Sequence, residues 1–118
     1  MLTSALLCLT MAIYVEARGE PVESQMAVAS VTINRTKEKG RPNTICGVVK
    51  QPGQYTWKKH IKFKEKESYE RSKRIALLYI KGKLKSTIGN RTYFNHRRLG
   101  KRYKTAYKPI KIKNLVFY

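Results

Sequence analysis

The fold of this chain depends on residues 13–21, which read Ile13-Tyr14-Val15-Glu16-Ala17-Arg18-Gly19-Glu20-Pro21. An apolar run ends at Glu16, and the Gly19/Pro21 break follows within five residues. We therefore expect a buried helix over residues 3–17 that carries one carboxyl group to the edge of a cleft. A partly desolvated carboxyl group keeps its proton near neutral pH, as a general acid must. Glu16 is thus the candidate catalytic residue.

The remaining elements follow from helix caps, breakers and periodicity. The predicted helices are Val22 to Arg35 after Pro21, a short turn capped by Thr44 through Val49, and an amphipathic helix from Ser68 to Lys81 that Gly82 ends. The predicted strands are Thr92 to Phe94, Pro109 to Ile112 and Leu115 to Tyr118. This order predicts an α+β fold with a helical core and a short antiparallel sheet in the C-terminal half. The length of 118 residues fits one domain over residues 1–118.

Charge is distributed very unevenly along the chain. Residues 1–34 hold one arginine against three glutamates, whereas residues 35–118 hold 25 basic residues against four glutamates, for a total of +19. A positive field of this size attracts polyanions without specifying which kind. A disordered basic tail is excluded, because 42% of the residues are hydrophobic and 10% are aromatic.

The supply of possible acids and metal ligands is small. The chain has no aspartate, and four of its seven glutamates lie among lysines and arginines, where solvated ion pairs are expected. Glu16, Glu20 and Glu23 remain as candidate acids. Two cysteines without a CxxC motif and the distant His60 and His96 do not form a metal-ligand pattern. We therefore expect neither a metal nor another cofactor.

The apolar start of the chain is similar to a signal peptide but lacks a basic region before the apolar run. About 15 residues precede the first charge, whereas a transmembrane helix needs about 20. We therefore expect no transmembrane span and no signal peptide, with this segment belonging to the mature fold.

Four blocks of sequence, in order, resemble a known family. They are Ala12 to Pro21, Gln25-Met26-Ala27-Val28-Ala29 with Ile33-Asn34-Arg35, Pro42 to Val49, and Gln54-Tyr55-Thr56-Trp57. Over residues 5–57 the chain resembles the spore cortex-lytic/cell wall hydrolase family, which includes germination hydrolases and bacteriophage lysins. A weaker similarity covers Tyr93-Phe94-Asn95-His96, where Asn95 stands in place of an expected histidine. Either Asn95 or His96 could therefore face the cleft.

The resemblance implies a lysozyme-like domain that cleaves peptidoglycan glycan strands after N-acetylmuramic acid, as a lytic transglycosylase. Such an enzyme can work with a single carboxylate, which suits a chain without aspartate. We assign the acid/base role to Glu16. Glu20 is expected to be a structural partner that holds Arg18 or caps the next helix. The expected substrate-binding residues are Gln54, Tyr55, Trp57, Tyr93, Asn95 and His96. Asn34 and Arg35 are expected to end the second helix rather than to touch substrate.

Partners and location follow from charge and resemblance together. The basic excess is expected to hold a monomeric enzyme on anionic cell-wall polymers or lipopolysaccharide, with an attraction that salt weakens. A short, basic member without an export signal looks like a phage endolysin. It would be made in the host cytoplasm and reach the wall or periplasm after membrane permeabilisation. Cys8 and Cys46 occupy positions where some exported members carry cysteine, so a disulfide is possible, although reduced thiols are the default for cytosolic synthesis.

Three alternatives remain open at this stage. A hydrolytic muramidase would use the same site but release a reducing sugar end. A basic nucleic-acid-binding module is compatible with the charge, but no known nucleic-acid motif is readable, so no nucleic acid is expected. A membrane-active lysin would act through its basic tail without cleaving glycan.

Overall fold

The computed structural model describes residues 3–55, 63–97 and 107–118. Its helices are Ser4–Ala17 (α1), Val22–Thr36 (α2), Ile45–Val49 (α3) and Lys66–Ile80 (α4). Its strands are Phe94–His96 (β1), Ile110–Ile112 (β2) and Leu115–Phe117 (β3). The predicted α+β class is confirmed.

Helix α1 is the central element of the fold. Its N-terminus is capped by Thr3, whose side chain accepts a hydrogen bond from the Leu6 amide at 3.2 Å. The helix packs against α2, α3 and α4, and Leu9 and Ile13 are fully buried. A helix that is apolar on nearly all sides needs such surroundings, and they hold its C-terminal end in place. Within the described ranges, no helix is both long and apolar enough to cross a membrane.

Helix α2 lies between the helical layer and the sheet. Proline favours the first position of a helix, so the sequence predicts Pro21 there, but Pro21 is the N-cap residue and the helix begins at Val22. Ala29 packs toward α1 and α4, whereas Val28 and Val31 pack against side chains from the sheet. The side chains of α2 can therefore reach both the helices and the strands.

Helix α4 begins and ends slightly earlier than predicted, and Gly82 follows it at a φ of +72°. That left-handed conformation suits glycine and explains the predicted stop. The amphipathic pattern predicts Ile75, Leu78 and Tyr79 on one side of this helix, but Leu78 is 39% exposed. Ala76 is buried in its place, beside Ile75 and Tyr79.

The three strands form an antiparallel sheet in the order β1-β3-β2. Phe117 of β3 lies opposite Phe94 on one side and Ile110 on the other, and it is fully buried. A two-residue turn joins β2 to β3, with Lys113 at a φ of +50°. The segment predicted from Thr92 becomes strand β1 from Phe94, and Tyr93 extends the pairing by one residue because it exchanges both backbone hydrogen bonds with Tyr118 at 2.9 Å.

A disulfide joins Cys8 of α1 to Cys46 of α3. The expected default of reduced thiols is therefore wrong for this structure. The two helices pack so that the Cα atoms are 5.3 Å apart, which is within the range that a disulfide spans. The bond fixes the helix that carries Glu16 to the helix that precedes Gln54 and Tyr55.

Candidate active site

A cleft of about 660 Å³ opens where the end of α1 meets the loop after α3 and the sheet. Six residues predicted from the sequence line it, namely Glu16, Gln54, Tyr55, Tyr93, Asn95 and His96. Trp57, the seventh member of that set, lies outside the described residues. Asn95 and His96 both line the cleft, so the choice between them does not arise. Residues far apart in sequence thus converge on one concavity.

Glu16 lies in the last turn of α1 and is half-buried at the cleft. Among the described residues that line the cleft, it is the only carboxylate. The last turn of a helix carries the negative end of the helix dipole, which favours the protonated form of a carboxyl group. The helix end therefore contributes one influence that keeps a proton on this carboxyl group.

Tyr55 is 9% exposed, and its hydroxyl belongs to a buried chain of hydrogen bonds. Thr32 Oγ1 donates to the Val28 carbonyl oxygen at 2.8 Å and lies 2.8 Å from the Tyr55 hydroxyl oxygen. Because the one proton of Thr32 goes to Val28, Tyr55 must donate to Thr32. Burial raises the pKa of Tyr55, the positive charge of Arg35 opposes this, and the negative charge of Glu16 adds to it. Tyr55 is therefore a neutral phenol with a fixed proton.

Two substitutions test this direction of donation. Thr32→Val should lower the free energy of unfolding by about 1–3 kcal/mol, because it leaves a buried phenol without its acceptor. Tyr55→Phe should cost only about 1 kcal/mol, since Thr32 keeps its bond to Val28. Urea unfolding of both variants measures the difference. Equal costs, or a larger cost for Tyr55→Phe, would contradict the assigned direction.

Comparison with known proteins identifies the family. Residues 19–118 match the model of the cell wall hydrolase family. The chain belongs to this family. The resemblance stated from the sequence is thereby confirmed.

Curated relatives of this cell wall hydrolase match a short segment. The spore cortex-lytic enzyme of Bacillus subtilis (strain 168) is 46% identical over 48 residues, which are 41% of this chain and 16% of that protein. The spore cortex-lytic enzyme of Oceanobacillus iheyensis is 49% identical over 45 residues, or 38% of this chain and 16% of that protein. The matched segment thus spans about a sixth of each relative.

Two solved structures share the fold over almost the whole chain. The catalytic domain of the germination-specific lytic transglycosylase SleB from Bacillus anthracis has a TM-score of 0.71 at 26% identity, covering 99% of this chain and 95% of that one. The catalytic domain of the Bacillus cereus SleB protein has a TM-score of 0.70 at 27% identity, covering 96% of this chain and 88% of that one. The curated matches are short, but the structural match extends over the cleft and the sheet.

Arg18 and Glu20 have structural contacts in this cell wall hydrolase, but not those expected. Arg18 pairs with Glu65 just before α4, and its guanidinium lies 4.9 Å from the centroid of the Tyr14 ring. Glu20 Oε2 instead accepts a hydrogen bond from Asn114 Nδ2 at 3.1 Å, in the turn between β2 and β3. The Gly19 break separates the two residues, so they contact different parts of the fold. Glu20 makes no capping bond to α2 either, because Pro21 is its N-cap.

Arg35 lines the cleft but is not among the site residues predicted from the sequence. Arg35 and Asn34 were expected to end α2, but the helix continues to Thr36 and Arg35 is 3% exposed. Cleft residues that were also missed are Gly53, Phe94, Leu115 and Tyr118. One sequence signal could have indicated Arg35. This residue belongs to the Ile33-Asn34-Arg35 block of the family resemblance and is a charged residue at the predicted end of a helix that has an apolar face.

Proposed function

We propose that this cell wall hydrolase cleaves the bond between N-acetylmuramic acid and N-acetylglucosamine in peptidoglycan, as a lytic transglycosylase with Glu16 as its acid/base. The observation that carries the proposal is the position of Glu16, the only carboxylate among the described residues that line the cleft. The two SleB catalytic domains share this fold at 26% and 27% identity, and the Bacillus anthracis domain is a lytic transglycosylase. Family, fold and the single acid therefore favour the same chemistry.

One carboxyl group can perform both halves of this reaction. Glu16 first donates its proton to the glycosidic oxygen, and the bond from that oxygen to C1 of the muramic sugar breaks. The resulting carboxylate then takes the proton from the C6 hydroxyl of the same sugar as its oxygen bonds to C1. Glu16 regains its proton and the product is a 1,6-anhydro sugar. Most glycosidases that release a free sugar use two carboxylates, which the described part of the cleft does not offer.

The walls of the cleft supply groups suited to amino sugars. Tyr93 is 39% exposed, and its ring stacks on that of Tyr118 with centroids 5.4 Å apart, so the pair presents a broad aromatic surface. Gln54 and Asn95 line the cleft with amide groups that can bond to N-acetyl substituents. In this proposal these residues, with Tyr55 and His96, orient the glycan strand over Glu16.

The positive charge supplies a second attraction to the wall. A net charge of +19 favours anionic cell-wall polymers or lipopolysaccharide, and its strength decreases as salt rises. We further propose a role in phage-mediated host lysis, in which the protein acts as a monomer and reaches the wall once the membrane has been permeabilised.

Product analysis on purified peptidoglycan tests the proposed function. We expect the wild type to solubilise the glycan and to release muropeptides that end in the anhydro sugar, which mass spectrometry finds lighter by one water than the hydrolysed form. Solubilisation with reducing ends instead would indicate a hydrolytic muramidase. No solubilisation, together with salt-sensitive binding to DNA, would support the nucleic-acid module and end the enzymatic proposal.

A further inference from the structure

We propose that Arg35 is a positioning residue that ties the two walls of the cleft together and keeps a buried positive charge beneath it. The inference rests on the proposed function and adds a part to the same site. The planar guanidinium group of Arg35 contacts residues of both walls. Arg35 Nε donates to the Thr92 carbonyl oxygen at 2.6 Å, and its Cζ lies 5.1 Å from the Tyr55 ring centroid and 5.6 Å from that of Phe94.

The three contacts of Arg35 come from both sides of the cleft. Tyr55 belongs to the wall formed by the loop after α3, whereas Thr92 and Phe94 flank Tyr93 on the opposite wall. The rings of Tyr55 and Phe94 are themselves 5.8 Å apart. A guanidinium group interacts favourably with the face of an aromatic ring. Because Arg35 contacts both rings, it favours the arrangement in which Tyr55 and Phe94 lie close together. Moving either wall would break this arrangement.

Asn34 strengthens the same connection from the neighbouring position. Its Nδ2 donates to the carbonyl oxygens of Gly89 and Arg91, both at 2.8 Å. Two consecutive side chains of α2 therefore hold three carbonyl groups of the segment that leads into β1. This fixes where β1 begins, and with it the cleft residues Asn95 and His96.

Burial of Arg35 is costly, which argues for a role beyond packing. The residue is 3% exposed, and its Nη1 is buried without a hydrogen-bond partner. Burial lowers the pKa of Arg35, and Arg41 adds to this, whereas Tyr55 and Glu38 oppose it. A buried charge seldom adds stability compared with an apolar side chain of similar size. The charge of Arg35 is therefore better explained by its effect on the residues of the cleft than by a contribution to stability.

Arg35 and Glu16 line the same cleft, so in this proposal the fixed positive charge is expected to influence the ionisation of Glu16. The charged and titratable groups that face this carboxyl group across the cleft are Arg35 from α2, Tyr55 from the loop after α3, and Tyr93, His96 and Tyr118 from the sheet side. On its own element, Arg18 is paired with Glu65. Arginine remains protonated in proteins, so its positive charge favours the carboxylate of Glu16. Without it, Glu16 should keep its proton to a higher pH.

Rates and pH profiles of three variants test the assignment on purified peptidoglycan at constant salt. Arg35→Met removes both the positive charge and the planar guanidinium group. Arg35→Lys keeps the charge but not the guanidinium group. Ser30→Ala is the control variant. Ser30 lies on the same helix, and its hydroxyl contacts the Tyr79 hydroxyl at 2.9 Å and accepts from the Thr87 amide at 3.1 Å, but it is not among the described residues that line the cleft. We expect Arg35→Met to lower the rate by about tenfold or more at equal folded fraction, because only the ring contact between Tyr55 and Phe94 then joins these parts of the two walls. The alkaline limb of the pH–rate profile of Arg35→Met should move to higher pH by about half to one unit.

Arg35→Lys should also be slower than wild type, but with its alkaline limb in the wild-type position, because the charge is retained. A rate loss in Arg35→Met no greater than that of Ser30→Ala would overturn the proposal. An alkaline limb that stays in place in Arg35→Met would overturn it as well. These results differ from failure of the proposed function, in which the wild type itself would not solubilise peptidoglycan.

Discussion

Glu16→Gln is expected to reduce the rate of peptidoglycan solubilisation by about 10²–10⁴-fold while leaving the fold intact. Glutamine has nearly the same shape but can neither deliver a proton to the glycosidic oxygen nor take one from the C6 hydroxyl. Because the described cleft residues include no second carboxylate, no obvious neighbour can replace it. A zymogram and a turbidity assay on purified peptidoglycan measure the loss, and circular dichroism verifies the fold.

Glu20→Gln is the matched control, because it makes the same chemical change four residues away. Glu20 bonds to Asn114 beside the β2–β3 turn and does not line the cleft in the described part of the chain. Its loss should therefore leave most of the activity. If clearing survives Glu16→Gln but disappears in Glu20→Gln, the acid/base role belongs to Glu20 and the mechanism proposed here is wrong.

Reduction of the Cys8–Cys46 disulfide is expected to lower the free energy of unfolding by about 4 kcal/mol. The cysteines are 38 residues apart in sequence, and closing a loop of that length in the unfolded chain accounts for a cost of this size. For a domain of about this length the melting temperature should fall by more than about 10 °C. Thermal unfolding with and without dithiothreitol gives the value.

The Cys8→Ser/Cys46→Ser double variant separates the bond from side effects of the reductant. It should melt at the temperature of the reduced wild type and should not respond to dithiothreitol. An intact mass that rises by two hydrogens on reduction would establish the bond in solution. If the mass is unchanged, or if both proteins melt within about 2 °C of the oxidised wild type, the expected stabilisation is refuted.

Local signals predicted the elements of this fold well. The Thr44 cap is present, since its side chain accepts from the Gly47 amide at 3.0 Å, and each of the three β-favouring segments overlaps a strand, although the first shares only Phe94 with β1. Apolar character also predicted that α1 is buried and that Glu16 lies at its end. These features depend on neighbours within a few residues, so the sequence determines them directly.

Long-range features were not predictable in the same way. Nothing in the spacing indicates that β3 pairs with both other strands, that Glu20 bonds to Asn114, or that Arg35 meets Tyr55 and Phe94. Each depends on segments brought together by packing of the whole chain. The cleft residues were grouped by a family resemblance, whereas the buried arginine beneath them needed the structure.

The order of the sheet has a consequence for biosynthesis. β3 follows β1 and β2 in sequence but is the middle strand of the described sheet, and both of them pair with it. As the ribosome emits the polypeptide, the helix bearing Glu16 therefore emerges long before the sheet can assemble. A nascent chain would carry Glu16 without the side of the cleft that the sheet forms. The complete cleft can therefore form only after translation has passed residue 117.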